Sequence, residues 1–302
     1  MHKLTTILLG LIFASLSLQA QQKYVGQVYS DLVKSTHTYI DTLKLDFYTA
    51  TQNQKDNSRP LIVLVHGGGF SGGKRDNAQE TEFSQTMAAK GYAVASISYH
   101  LTRKGKATGF GCDCPASEKL ETFKQITTDI LDALEYLKSN PDFSFDPDKI
   151  ILAGSSAGAE GILNTAYMAQ HPDFKDLSNF PKIAAVVSFA GAVIDARYIT
   201  SKNAVPGIFI HGNKDNLVPY SSAPHHFCVY ESPGFLPLDG DAYIAARLKN
   251  LNASYTLLTA PNGNHDWAGL AYDFTDEIAR FLNTVVNEKQ LIQHEESVEK
   301  KN

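Results

Sequence analysis

Short, predominantly apolar runs recur along this chain, and stretches with helical character separate most of them. Leu61–Val65, Tyr92–Ser98, Lys149–Ala153, Ile183–Phe189, Val205–Ile210 and Ser254–Thr259 lack the alternation of a half-exposed strand. They read instead as strands buried on both faces. Gln79–Lys90 has helical composition and is closed by Gly91, a residue suited to the position just past a helix. Glu118–Lys138 carries Ile126, Ile130, Leu134 and Leu137 at three- and four-residue spacings, the stripe of an amphipathic helix. Further helices are expected from Ser156 to near His171-Pro172, over Asp241–Asn250 and over Ala271–Val286. Strands that alternate with helices of this length specify an α/β fold: a mostly parallel central sheet with helices on both faces. Ahead of it, Tyr24–Thr49 holds period-two segments such as Leu43-Lys44-Leu45-Asp46-Phe47-Tyr48, which read as strands.

No internal repeat or linker divides the chain, so residues 21–286 are expected to form one domain. The charged stretch from Asn287 to Asn302 reads as a frayed or disordered tail. At the other end, His2 and Lys3 precede an apolar run from Leu4 to Leu18, then Gln19-Ala20 and the polar Gln21-Gln22-Lys23. That is the pattern of a signal peptide over residues 1–20, which implies a secreted or periplasmic protein; an uncleaved anchor helix is the alternative. No later stretch is long and apolar enough to span a bilayer, so no stable membrane insertion is expected after cleavage. A formal net charge of −5 with no basic stripe argues against nucleic acid as a partner. Three cysteines allow one disulfide between Cys228 and either Cys112 or Cys114, and they do not supply a zinc site.

The chemistry concentrates where strands end. Gly154-Ser155-Ser156-Ala157-Gly158 lies directly after the apolar Ile150–Ala153 and directly before a helix. A serine there occupies a tight strand-to-helix turn, and small residues two before and two after it let the backbones pass. The same pattern can be framed on Ser155, but only the frame on Ser156 has glycine at both flanks. Ser156 is therefore the candidate nucleophile. The amide of Ala157 then stands at the helix N-terminus, where developing negative charge is favoured.

His66-Gly67-Gly68-Gly69-Phe70 follows the strand Leu61–Val65. Consecutive glycines leave amides uncovered, and Gly68 and Gly69 are the expected oxyanion donors alongside Ala157. His66 reads as an orienting residue of the loop. Gly68 to Lys74 also fits the start of a phosphate-binding loop, but Arg75 stands where Ser or Thr must hold Mg²⁺, so nucleotide binding is rejected.

Two further strands open into candidate acid and base. Val205–Ile210 leads to His211-Gly212-Asn213-Lys214-Asp215, and Ser254–Thr259 leads to Asn262-Gly263-Asn264-His265. The C-terminal ends of the strands are where open parallel sheets place their sites. Asp215 can orient His265, and His265 can take the serine proton. The chain order of Ser156, Asp215 and His265 is that of strand-to-helix elbow enzymes. Asp195 is the fallback acid. His171 reads as a helix end, His225-His226 as loop surface, and Asp266 as a poor alternative because it adjoins the histidine.

Together these motifs resemble the α/β-hydrolase superfamily, over roughly Leu43 to Leu282. The resemblance is greatest to the bacterial carboxylesterases that include feruloyl- and acetylxylan-esterase-like enzymes and relatives of hormone-sensitive lipase. Ser98-Tyr99 and Asp148-Lys149-Ile150 also fit that branch. The resemblance implies a sheet of about eight strands, no metal or organic cofactor, and an acyl-serine intermediate. It implies a small-molecule or oligosaccharide ester as substrate, feruloyl and acetyl esters of plant polysaccharides among them. Phe70, Tyr99, Tyr220 and Trp267 flank the motifs and are the expected lining of the substrate pocket. Two segments depart from the branch, Thr102–Ser117 with its paired cysteines and Ala223–Leu238, and both are expected to shape the pocket. A peptidase is the alternative enzyme, although peptidases of this fold usually carry a gating domain for which there is no room. A non-catalytic secreted binding protein on the same scaffold is the third reading; such proteins typically lose a triad member.

Overall fold

A computed structural model describes residues 23–301. The expected leader, residues 1–20, lies outside them.

The strands are β1 Leu32–Ile40, β2 Leu43–Ala50, β3 Leu61–Val65, β4 Ala93–Ile97, β5 Ile150–Ser155 and β6 Ile183–Phe189, followed by β7 Ala192–Val193. After them come β8 Gly207–Gly212, β9 Ser222–Pro224, β10 Pro237–Gly240, β11 Tyr255–Ala260 and β12 Gln293–Ser297. Nine of these form the main sheet in the order β1-β2-β4-β3-β5-β6-β8-β11-β12. Only the pairings β1–β2 and β2–β4 are antiparallel. The remaining strands run parallel, because each crossover between them is long enough to hold a helix or a return loop. The chain thus has the expected α/β architecture.

The continuous apolar runs explain the two cores. On β3, Leu61, Val63 and Val65 face one hydrophobic cluster, while Ile62 and Leu64 face the other. The first cluster is closed by the helix Ala116–Ser139, whose Ile126, Ile130, Leu134 and Leu137 are all buried. The second is closed by the helices Ala78–Ala89 and Thr275–Leu282 through Phe83, Met87, Ile278 and Leu282. Burial on both faces is what permits strands without polar alternation.

Three expectations require correction. The helix after Ser156 ends at Tyr167, four residues before His171. The expected helix Ala271–Val286 is α-helical only over Thr275–Leu282, between a 3₁₀ turn at Ala271–Phe274 and a π-helical turn at Asn283–Asn287. The charged tail is not frayed over its length: Gln293–Ser297 is β12, an edge strand of the main sheet, parallel to β11. Composition misleads there because the anchors flank the strand. Ile292 and Val298 pack on the second core, and Glu295 accepts from Tyr255 Oη at 2.6 Å and pairs with Lys249 at 3.1 Å. The exposed, charged side chains of β12 also suit a sheet edge that must not recruit another chain.

A disulfide joins Cys112 to Cys228, across 116 residues, and leaves Cys114 buried as a free thiol. It fastens Thr102–Ser117 to the loop after β9, and backbone bonds from Gly234 to Cys112 and from Ala116 to Pro233, each 2.9 Å, run alongside it. Closing so long a loop restricts the unfolded chain strongly. Cys228→Ser is expected to lower the unfolding free energy by about 2–4 kcal/mol, measured by urea titration without reductant. A loss below about 0.5 kcal/mol would show that the bond contributes little.

Candidate active site

Four loops meet at the C-terminal edge of the sheet, after β3, β5, β8 and β11. Ser156 stands between β5 and the helix Ala157–Tyr167 with φ 51° and ψ −121°, a conformation that L residues rarely adopt. Its amide donates to Phe189 O at 2.8 Å, which ties the turn to the end of β6. The flanking glycines are steric requirements. A Cβ on Gly158 would overlap the carbonyl oxygen of Val65, and one on Gly154 would lie 2.5 Å from Gly158 O. Ser155 is excluded from the site's centre, since its hydroxyl donates to Ala268 O at 2.8 Å.

Ser156 Oγ lies 2.8 Å from His265 Nε2, and His265 Nδ1 donates to Asp215 Oδ2 at 2.7 Å. The two loops that bring this about are bonded to each other. Lys214 N donates to Gly263 O at 2.8 Å, and Asn262 N donates to the side chain of Asn213 at 2.8 Å. Asp215 is itself held by the amides of Leu217 and Val218, at 2.8 and 3.0 Å on Oδ1. The three residues singled out from sequence are thus placed in one hydrogen-bonded line.

A neighbour of that line carried no role in the sequence reading. His211, at the end of β8, is fully buried between two carboxylates, 3.2 Å from Asp215 Oδ2 and 3.0 Å from Asp241 Oδ2. Asp241 also accepts from Ser188 Oγ at 2.7 Å and Gly191 N at 3.0 Å. Burial disfavours imidazolium, but hydrogen bonds and charge from both aspartates outweigh it and raise His211 to about 9. In turn, Asp215 resists the upward push of its burial. The bonds from His211 and His265 hold it well below the usual carboxylate range. Sequence position gave one hint of this role, a histidine at the same strand end as the candidate acid.

The glycine loop after β3 borders the same site. Gly68 and Gly69 have φ of 121° and 58°, and the amides of Gly68, Gly69 and Ala157 have no acceptor among the described residues. His66 is buried in the loop, stacked on Tyr99 at 4.5 Å, with Nδ1 2.7 Å from Gly67 O. It is outside the lining of the cavity, unlike Gly67, Gly68 and Gly69.

That cavity, of about 660 Å³, holds Ser156, Ala157 and His265 in its wall. The aromatic residues expected to line it do not. Phe70 and Tyr99 are core residues, Tyr99 Oη donating to His66 O at 3.1 Å, and Trp267 packs in the second core. Tyr220 bonds Thr259 Oγ1 at 2.6 Å. Each follows a motif in sequence, but the chain turns there and directs the ring into the protein. The lining comes instead from Phe110, Leu217, Val218, His225, His226 and Tyr272. His225-His226 is therefore no surface pair: both line the cavity, next to the disulfide-bonded Cys228. Both departing segments do contribute to the wall. Asp195 is outside it, with its carboxylate taken up by Arg197 at 2.7 Å. No cluster of residues able to hold a metal ion occurs among the described residues.

Comparison with known proteins places this geometry in context. The family model described as BD-FAE matches residues 45–195, half of the chain. Phenmedipham hydrolase of Pseudarthrobacter oxydans is 33% identical over 139 residues, which cover 45% of this chain and 25% of that protein. Gut esterase 1 of Caenorhabditis elegans is 29% identical over 139 residues, 46% of this chain and 23% of that protein. The matched region thus spans about a quarter of these relatives' length. Among solved structures, Thermogutta terrifontis esterase 2 phosphorylated by paraoxon superposes with a TM-score of 0.59 at 19% identity, covering 83% of this chain and 94% of that one. Esterase B of Lactobacillus rhamnosis gives 0.56 at 16% identity, with 95% and 96% covered. At these identities the superpositions establish the fold.

The buried His211 yields a pH test. In the fold it keeps its proton up to about pH 9, whereas once unfolded it releases it near 6.5. Its contribution to stability is therefore complete below about pH 6.5 and fades as the pH rises through about 9. Urea unfolding between pH 6 and 10 is expected to show this alkaline loss in the parent protein and a flatter profile in His211→Gln. Parallel profiles would refute the imidazolium.

Proposed function

This chain belongs to the BD-FAE family of α/β-hydrolase-type esterases, and from that membership we propose that it is a secreted serine carboxylic-ester hydrolase working through an acyl-serine intermediate. The observation that carries the reading is the line from Ser156 Oγ through His265 to Asp215, with bonds of 2.8 and 2.7 Å, beside three amides without an acceptor among the described residues.

In this mechanism His265 Nε2 removes the Ser156 proton as Oγ attacks the ester carbonyl. Asp215 keeps the proton of His265 on Nδ1, so Nε2 is free to accept, and its negative charge stabilises the imidazolium that forms. The amides of Gly68, Gly69 and Ala157 receive the oxyanion, a contribution of about 3 kcal/mol per donor in comparable sites. His265 then returns its proton to the departing alcohol, and water repeats the cycle to release the acid. Every step uses groups of this chain and the substrate, so the reading requires no cofactor.

Export is part of the proposal. It rests on the leader-like residues 1–20 and on the disulfide, which persists in oxidising compartments. No helix among the described residues is long and apolar enough to cross a membrane. Secreted lipase 5 of Gibberella zeae is another relative, 29% identical over 153 residues. Feruloyl and acetyl esters of plant polysaccharides are the substrates the resemblance favours, and methyl ferulate and acetylated xylan are the compounds to assay.

Ser156→Ala is expected to abolish hydrolysis of p-nitrophenyl butyrate and labelling by a fluorophosphonate while leaving the thermal transition within a few degrees. Esterase 2 of Thermogutta terrifontis reacts with paraoxon, which makes an organophosphorus probe suitable. Turnover or labelling retained by Ser156→Ala would sink the assignment.

A further inference from the structure

The mechanism above leaves one cluster of polar groups in the cavity without a task. Glu160 lies four residues beyond Ser156, one turn along the same helix face. Glu160 lines the cavity, it is only 2% exposed, and its Oε1 accepts no hydrogen bond among the described residues. Facing it is His225, which is 1% exposed and also lines the cavity. His225 Nε2 lies 3.2 Å from Glu160 Oε1 in an alignment that makes no hydrogen bond, and Nδ1 has no partner among the described residues. Buried polar atoms without partners are costly, and one on each of two neighbouring side chains in a single cavity calls for an explanation. By contrast, the other carboxyl in the wall, Glu80, receives Tyr272 Oη at 3.1 Å.

We propose that Glu160 and His225 form a second polar subsite of this cavity, one that binds a neutral hydroxyl group carried by the ester. The inference rests on the ester-hydrolase reading and adds a substrate class to it. A hydroxyl has one donor and two lone pairs, so it can donate to one member of the pair and accept from the other. Charge complementarity favours a neutral group. Burial pushes the carboxyl of Glu160 up to about 8, and it pushes His225 and His226 below the ordinary imidazole range, so these three groups favour their neutral forms near neutrality. The buried ammonium of Lys119, bonded to Gly234 O at 2.8 Å, adds positive charge to the same surroundings and disfavours a cation. Phe110 packs edge-on against His225 at 5.2 Å and supplies an apolar surface beside the polar pair. The loop bearing His225 is tied down by His225 N donating to Leu236 O and His226 N to Leu217 O, each at 2.8 Å, and by the disulfide of Cys228 to Cys112.

The hydroxyl could belong to the acyl or to the alcohol portion, and two matched pairs distinguish these. Methyl 3-(4-hydroxyphenyl)propanoate against methyl 3-phenylpropanoate probes the acyl side. Glyceryl monobutyrate against propyl butyrate probes the alcohol side. Calorimetric binding to Ser156→Ala protein reads the subsite without turnover. The hydroxylated member of one pair is expected to bind about tenfold more tightly, the value of one good neutral hydrogen bond. Adding Glu160→Leu should bring that ratio near unity, while Glu160→Gln, which keeps a donor and an acceptor, should retain most of it. His225→Leu gives an independent check should Glu160→Leu fail to fold. Equal affinities within both pairs, as an ordered water satisfying the two groups would produce, overturn the proposal. So does a preference that survives both leucine substitutions. Hydrolysis of p-nitrophenyl butyrate by the parent chain reports separately on the ester-hydrolase reading.

Discussion

Strand β5 and the helix after it meet with no room for side chains between their backbones, and β3 passes against the same point. Gly154 faces Gly158, and Gly158 faces the carbonyl of Val65. This close approach forces the intervening Ser156 to a positive φ and lifts its hydroxyl out of the sheet. It also brings the end of β3 beside the helix N-terminus, so the glycine loop and the amide of Ala157 border one space. The conformational cost at Ser156, of order 1–3 kcal/mol in such cases, is borne by the buried strands on either side. Those strands are apolar on both faces, which is why the turn cannot relax.

The second constraint is electrostatic. Two carboxylates, Asp215 and Asp241, are buried within bonding distance of one imidazole, and only a proton on both nitrogens of His211 satisfies them together. Asp215 spends its remaining lone pairs on two amides and on His265, so its position is set from four directions. A histidine held by such a carboxylate has its tautomer chosen before any substrate arrives. Asp241 begins the helix Asp241–Asn250, so a distant element helps fix the orientation of the site.

Legibility differed between these parts for physical reasons. The elbow, the glycine loop, Asp215 and His265 were readable because each follows a buried strand, and such strands carry a local signal in their unbroken apolar runs. Ser156 was separable from Ser155 because glycine tolerates backbone contact that other residues do not. The cavity wall was not readable. Phe70, Tyr99, Tyr220 and Trp267 adjoin the motifs in sequence, yet adjacency does not decide to which side of a turn a ring points. His225 and Glu160 gave no local signal, since they lie on different elements far apart in sequence and meet only through the fold. The strand Gln293–Ser297 was hidden because its anchors, Ile292 and Val298, lie outside it.

The sequence by itself determined the α/β architecture, the turn bearing Ser156 and the strand ends bearing Asp215 and His265, because these follow from local patterns of burial and glycine. Only the tertiary structure decided which of Cys112 and Cys114 pairs with Cys228, where His211 lies, and which side chains face the cavity beside Ser156. Those outcomes depend on groups far apart along the chain, brought together by a sheet whose strand order differs from their order in sequence.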